Sequence, residues 1–170
     1  MRFPGTARER AKASAVGVVG MSAIPEPDRS ASSLPDGDYA DAFSIATDAF
    51  ASPERWARAM FGDVPNPAQR FIWRGLLGIR LRRDRSPHTV AGWRIAEASA
   101  HWIRLEAESW FLSANLVVRT PPGRVSLATL VRYDRGAARV VWPPLSAVHR
   151  MLIPGVLHAA VETCARDTIK

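Results

Sequence analysis

A chain of 170 residues, 47% hydrophobic and 23% charged, has the make-up of one globular domain and excludes a disordered or repetitive protein. Its formal charge of +7 invites an acidic partner, but Arg2, Arg8, Arg10 and Lys12 against Glu9 place +3 of it in the first dozen residues. Every basic residue except Lys12 and Lys170 is Arg, a bias that genomic base composition explains as readily as binding does, and the single Cys164 excludes an internal disulfide.

Arg8 to Lys12 followed by ASAVGVVGMSAIP has the outline of a signal peptide, a basic start and then an apolar stretch. The apolar part lacks Leu and Phe, and Met21 stands where a cut after Ala23 wants a small residue. The plainer reading is that translation begins at Met21, and it gives a cytoplasmic protein. No run approaches the ~20 apolar residues of a membrane span, so no transmembrane segment is expected. Pro25 to Gly37 is rich in Pro, Ser and Asp and reads as unstructured. The expected organisation is a disordered extension over 1–37 and one domain over 38–170.

Tyr39 to Thr47 alternates, with Phe43 and Ile45 inward, and predicts a first strand. Ser52-Pro53-Glu54 starts a helix: a capping hydroxyl, a proline in the first turn and an acid near the dipole. Asn66-Pro67-Ala68-Gln69 repeats the device with a capping box, and that second helix is expected to run to about Leu81. Thr89 to Ala98 reads as one strand carrying Trp93 and Ile95. His101 to Glu108 has the cleanest alternation, with Ile103 and Leu105 on one side. Trp110 to Thr120 turns Leu112, Ala114, Leu116 and Val118 inward. Arg124 to Asp134 presents Val125, Leu127, Thr129, Val131 and Tyr133 on one face. The links between these runs are short and favour antiparallel neighbours. Ala137 to Trp142 is either a last short strand or the first turn of the closing helix. That helix, WPPLSAVHRMLIPGVLHAAVETC, repeats Leu145, Val148, Leu152, Val156, Ala159 and Ala160 at helical spacing, with Pro154 expected to kink it.

The fold class is therefore α+β: an antiparallel sheet, two short helices after its first strand, and a long kinked C-terminal helix. This order, with SPERWARAMFG after the first strand and RVSLATLVRYD leading to WPPLSAVHRMLIP, resembles the START-like (SRPBCC) superfamily of helix-grip proteins over roughly 38–166. That superfamily includes polyketide cyclases, lipid-transfer proteins and many bacterial members. The resemblance implies a curved sheet wrapped around the last helix and a small apolar molecule bound between them. The lining would come from Trp73, Trp93, Ile95, Ile103, Leu105 and Leu112, with Leu116, Leu127 and Val131 from the later strands. Leu152 and Val156 would close it from the helix, and Thr129, Tyr133 and His149 would supply polar groups.

Little else in the sequence carries chemistry. His88, His101, His149 and His158 form no HExxH or Cys/His cluster, so no metal is expected. Cys164 sits near a helix C-terminus, where the dipole disfavours a thiolate, and reads as a small buried hydrophobe. No nucleophile elbow or phosphate-binding glycine loop is present, so no cofactor is implied. Arg80, Arg82, Arg83 and Arg85 lack interleaved aromatics, which argues against specific nucleic-acid binding and for a solvated helix end. Glu97 shares a face with Trp93 and Ile95 and is expected at a strand end in water. A cyclase- or aromatase-type enzyme using Tyr133, Thr129 and His149 is the alternative function, and an interaction surface around Trp102 and Trp110 a third. The oligomeric state is open.

Overall fold

A computed structural model describes residues 14–168. Its architecture is α+β: seven antiparallel strands in one curved sheet, in the order β1-β2-β7-β6-β5-β4-β3, plus a long C-terminal helix. The strands are β1 Val16–Val19, β2 Tyr39–Ala46, β3 Thr89–Val90, β4 Trp93–Ala98, β5 Trp102–Glu108, β6 Leu112–Arg119 and β7 Arg124–Tyr133. The helices are α1 Glu26–Ser30, α2 Pro53–Phe61, α3 Pro67–Arg70 and α4 Ala138–Thr168. α3 continues as a π-helical turn over Phe71–Leu76.

Both helix starts follow from their caps. Ser52 Oγ accepts from the Arg55 N–H at 3.1 Å, and Asn66 and Gln69 form the reciprocal capping box. α2 buries Trp56, Ala57, Met60 and Phe61 against α4 and strands β5 and β6. The second helix ends earlier than expected: the N–H of Leu77 reaches back five residues to Ile72 O, and Gly78 turns the chain at φ 61°. Thr89 to Ala98 is two strands rather than one. Ala91 and Gly92 both take positive φ and fold β3 back on β4, and a Cβ on Gly92 would lie 2.6 Å from the Arg82 carbonyl oxygen. Ala138 to Trp142 is helical, which resolves the choice for most of that stretch.

The described part of the N-terminal extension is ordered, contrary to the composition-based expectation. β1 pairs along β2, and Gly17 lies against the Phe43 ring where a side chain would collide. Ile24, Ala31 and Leu34 are buried, the first two in a second apolar cluster with Ala40, Ala42, Val117, Ala128 and Leu130 on the sheet's outer face. Asn115 Oδ1 accepts from Ser32 Oγ and from the Ser33 N–H, both at 2.8 Å. Arg104 donates to Ala31 O at 2.8 Å. The segment is polar where it meets water, but its few apolar residues meet the small side chains of an otherwise bare face. Residues 1–13, which carry the basic start, lie outside the described residues.

α4 runs as one helix through Pro143, Pro144 and Pro154. Its buried face includes Trp142, Ile153, Leu157, Ala160 and Cys164; of the expected stripe Ala160 is buried, and Leu145 and Val156 pack partly buried against the core. Val148 and Leu152 are exposed instead, because the helix is apolar on nearly all sides and periodicity cannot choose between two apolar stripes. Among the described residues this is the one helix long and apolar enough to cross a membrane by length and composition. A single such helix argues against a protein of several membrane spans, and the core helix of a soluble protein meets the same criterion.

Candidate functional site

A cavity of about 140 Å³ lies between α4 and the inner face of β6 and β7. Of the candidates named from the resemblance, Trp73, Trp93, Leu112, Leu116, Thr129, Val131, His149, Leu152 and Val156 line it. Its wall also includes Phe61, Gln69 and Ile72 from the helices after β2, Ala114, and Trp142, Leu145, Val148 and Ile153 from α4. Val148 and Leu152 are both exposed as well as lining, so the mouth opens beside the outer surface of α4.

Five expected residues lie elsewhere. Ile103, Leu105 and Leu127 point to the same side of the sheet but are consumed by solid packing in the main core. Ile95 packs partly buried at the core's edge. Tyr133 ends β7 beyond the cavity; burial first, then the nearby Asp38 carboxylate, pushes its phenol pKa up. Glu97 is exposed as expected, through a mechanism the alternation hid. The β4–β5 register shifts between Ile95 and Glu97, which brings Glu97 opposite Arg104, 3.2 Å from its guanidinium. Burial raises the pKa of Cys164, in keeping with a packing role.

Apart from Gln69, whose amide is held by Asn66 and Phe61, the cavity's polar groups lie at one pole. Asp41 and Thr129 are paired residues on adjacent strands β2 and β7, and both are buried. His149 on α4 reaches down to them, its Nε2 lying 3.1 Å from Thr129 Oγ1, 3.2 Å from Asp41 Oδ2 and 3.4 Å from Oδ1. A carboxylate only accepts, so Nε2 carries the proton and Thr129 Oγ1 shares it. In the neutral ring Nδ1 is then the lone-pair nitrogen. It takes no hydrogen bond among the described residues. The Tyr39 hydroxyl donates to Asp41 Oδ2 at 2.5 Å and accepts from Arg150 at 3.3 Å. Burial, then Asp41, raises the Tyr39 pKa, so the phenol stays a proton donor at neutral pH. Trp142 packs edge-on to Tyr39 and against the His149 ring, with centroids 5.3 and 5.9 Å apart.

Thr129 and His149 were readable as polar residues on apolar faces. Asp41 and Tyr39 were missed, although they carry the same signal: they share odd-numbered parity with inward Phe43 and Ile45. Arg150 has no such signal, because only the helix's rotation brings it to Tyr39. The indole N–H groups of Trp93 and Trp142 are buried without an oxygen or nitrogen partner, and Trp93 packs edge-on to Trp73 at 5.5 Å. Among the described residues no cluster of His, Cys, Asp and Glu could hold a metal.

Comparison of the chain with protein-family models and with curated proteins finds no match in either.

Proposed function

We propose that this chain is a START-like, helix-grip protein that binds one small, mainly apolar molecule in the cavity beneath α4. The cavity itself is the observation that carries the reading. An antiparallel domain of this size has no packing need for a cavity lined by three tryptophans. Strand order supports the helix-grip assignment: the first long strand, β2, pairs with the last, β7, and the helix pair lies between β2 and β3 in sequence.

Volume narrows the ligand. The space is comparable to an engineered cavity of roughly 150 Å³ that takes up benzene, and smaller than the roughly 300–1,000 Å³ of drug-sized sites. It suits a single ring or the end of one acyl chain, and a diacyl lipid would not fit without expansion. At the polar pole, Nδ1 of His149 would accept from a ligand hydroxyl. Isothermal titration with p-cresol against toluene tests both statements. Binding of p-cresol, with toluene weaker by about tenfold, supports them. Absence of heat with either compound, together with no small molecule retained in native mass spectrometry, would overturn the reading.

The same pole favours an enzyme of the cyclase or aromatase kind as the second reading. Asp41 orients His149 through Nε2, which leaves Nδ1 as the base for a hydroxyl or an acidic C–H. Proton exchange from a bound enolisable ketone such as cyclohexanone, followed in deuterium oxide by NMR, would separate catalysis from binding. Unchanged exchange in the presence of protein would count against it.

A further inference from the structure

The surface around the cavity mouth has its own chemistry. From Pro143 to Ala159 the exposed positions of α4 are Pro143, Pro144, Ala147, Val148, Met151, Leu152, Gly155 and Ala159. They form an uncharged stripe about 24 Å long at 1.5 Å per residue. Met151 is 80% and Leu152 53% exposed, and Arg150 is turned inward onto Tyr39 and Ser146. Across the mouth, the turn that supplies lining Ile72 and Trp73 carries Phe71 at 65% and Leu76 at 41% exposure. Two elements that line one cavity thus hold large apolar side chains in water, which is a larger patch than isolated exposed residues make.

Beside it lies a group of arginines. Arg70, Arg74, Arg82 and Arg83 surround a shallow depression with Val64, Pro65 and Leu81. Arg58, by contrast, is held by Glu54 and Asp63, and Arg85 by Asp63. The four form no ion pair among the described residues. Arg70 and Arg74 alternate with Phe71 and Leu76 along the same short helical segment, so cationic and apolar groups are interleaved at one surface.

We propose that this surface docks on an anionic lipid bilayer, with Phe71, Leu76, Met151 and Leu152 entering the interface and the arginines meeting phosphate headgroups. The cavity mouth then faces the membrane. Only this occupant answers both halves of the surface. Nucleic acid would neutralise the arginines and leave the aliphatic stripe in water, and a second copy of this chain would bring net positive charge to a cationic patch. Docking requires no ligand in the cavity, so it stands or falls apart from the function proposed above.

Flotation of the full chain with vesicles tests it, using phosphatidylcholine alone and phosphatidylcholine with phosphatidylglycerol. Binding should be confined to the anionic vesicles and weaken with salt. Each of Arg70→Gln and Arg74→Gln should weaken it about fivefold. Met151→Glu and Phe71→Glu should each weaken it by about tenfold or more while the thermal midpoint stays unchanged, since both side chains are exposed. Three results would each overturn the proposal. The first is no flotation with anionic vesicles. The second is a dimer in light scattering that Met151→Glu dissolves, which makes the stripe a self-interface. The third is arginine-dependent retention of a single-stranded oligonucleotide without flotation.

Discussion

Ala114→Leu separates an open cavity from a solid core by the sign of its effect. Ala114 is 4% exposed in the middle of β6, between Ala107 of β5 and Val131 of β7, and its methyl faces the cavity. Leucine adds three carbons, worth about 0.8 kcal/mol each if they are buried without displacing neighbours. Fixing the longer side chain costs about 0.5–1 kcal/mol of rotamer entropy. The net expectation is a stabilisation of about 1.5 kcal/mol, or about 3–6 °C in the thermal midpoint of a chain this long. Urea unfolding followed by circular dichroism gives the free energy, and the same protein should lose p-cresol binding. A solid interior would instead be overpacked and lose about 1–3 kcal/mol. A destabilised variant would therefore refute the cavity, and a stabilised variant that still binds p-cresol would place the ligand elsewhere.

Three further expectations concern the groups around the site and the covering of the sheet. His149→Ala should cost about 1–3 kcal/mol in urea unfolding, because buried Asp41 and Thr129 lose a shared donor, whereas Asp41→Asn, which can still accept, should cost less. Asp28 is 2% exposed, and burial raises its carboxyl pKa against the opposing pull of Arg119, so folding favours the protonated acid. Its stabilising contribution is complete below the ordinary carboxyl value and is lost as pH rises through the higher folded-state value. The stability of Asp28→Asn relative to the parent should therefore grow as pH climbs above about 4, and a constant difference between pH 4 and 7 would contradict the assignment. Asn115→Ala removes the acceptor of Ser32 and Ser33, and should speed limited proteolysis within residues 21–34 with a loss of about 1–3 kcal/mol.

Local chemistry made much of the fold legible. The caps at Ser52 and Asn66, the alternation in β5, β6 and β7, and the turn at Pro121-Pro122-Gly123 depend on residues close in sequence, and each element stands where those residues put it. The same alternation placed Thr129, Val131, Leu112 and Leu116 on the inward face, where the cavity lies. It could not tell them from Ile103, Leu105 and Leu127, which share their face, because a void is set by what stands opposite. The Gly92 reversal was hidden inside an apolar run, since Ala91 gives no warning of its positive φ.

What the sequence determined by itself was an α+β chain with an inward sheet face, a long apolar helix to lay across it and a histidine on that helix. Only the tertiary structure decided which way the helix turns. Leu157 and Ile153 went into the core, Val148 and Leu152 came to the exposed rim of the cavity, and His149 came down onto Asp41. The physical reason is that helical periodicity reports the width of an apolar face but not its partner. On a helix apolar nearly all round, the side buried is chosen by the shape and chemistry of the sheet beneath it, and here that sheet offers a carboxylate and a hydroxyl at the one place where an imidazole can reach both.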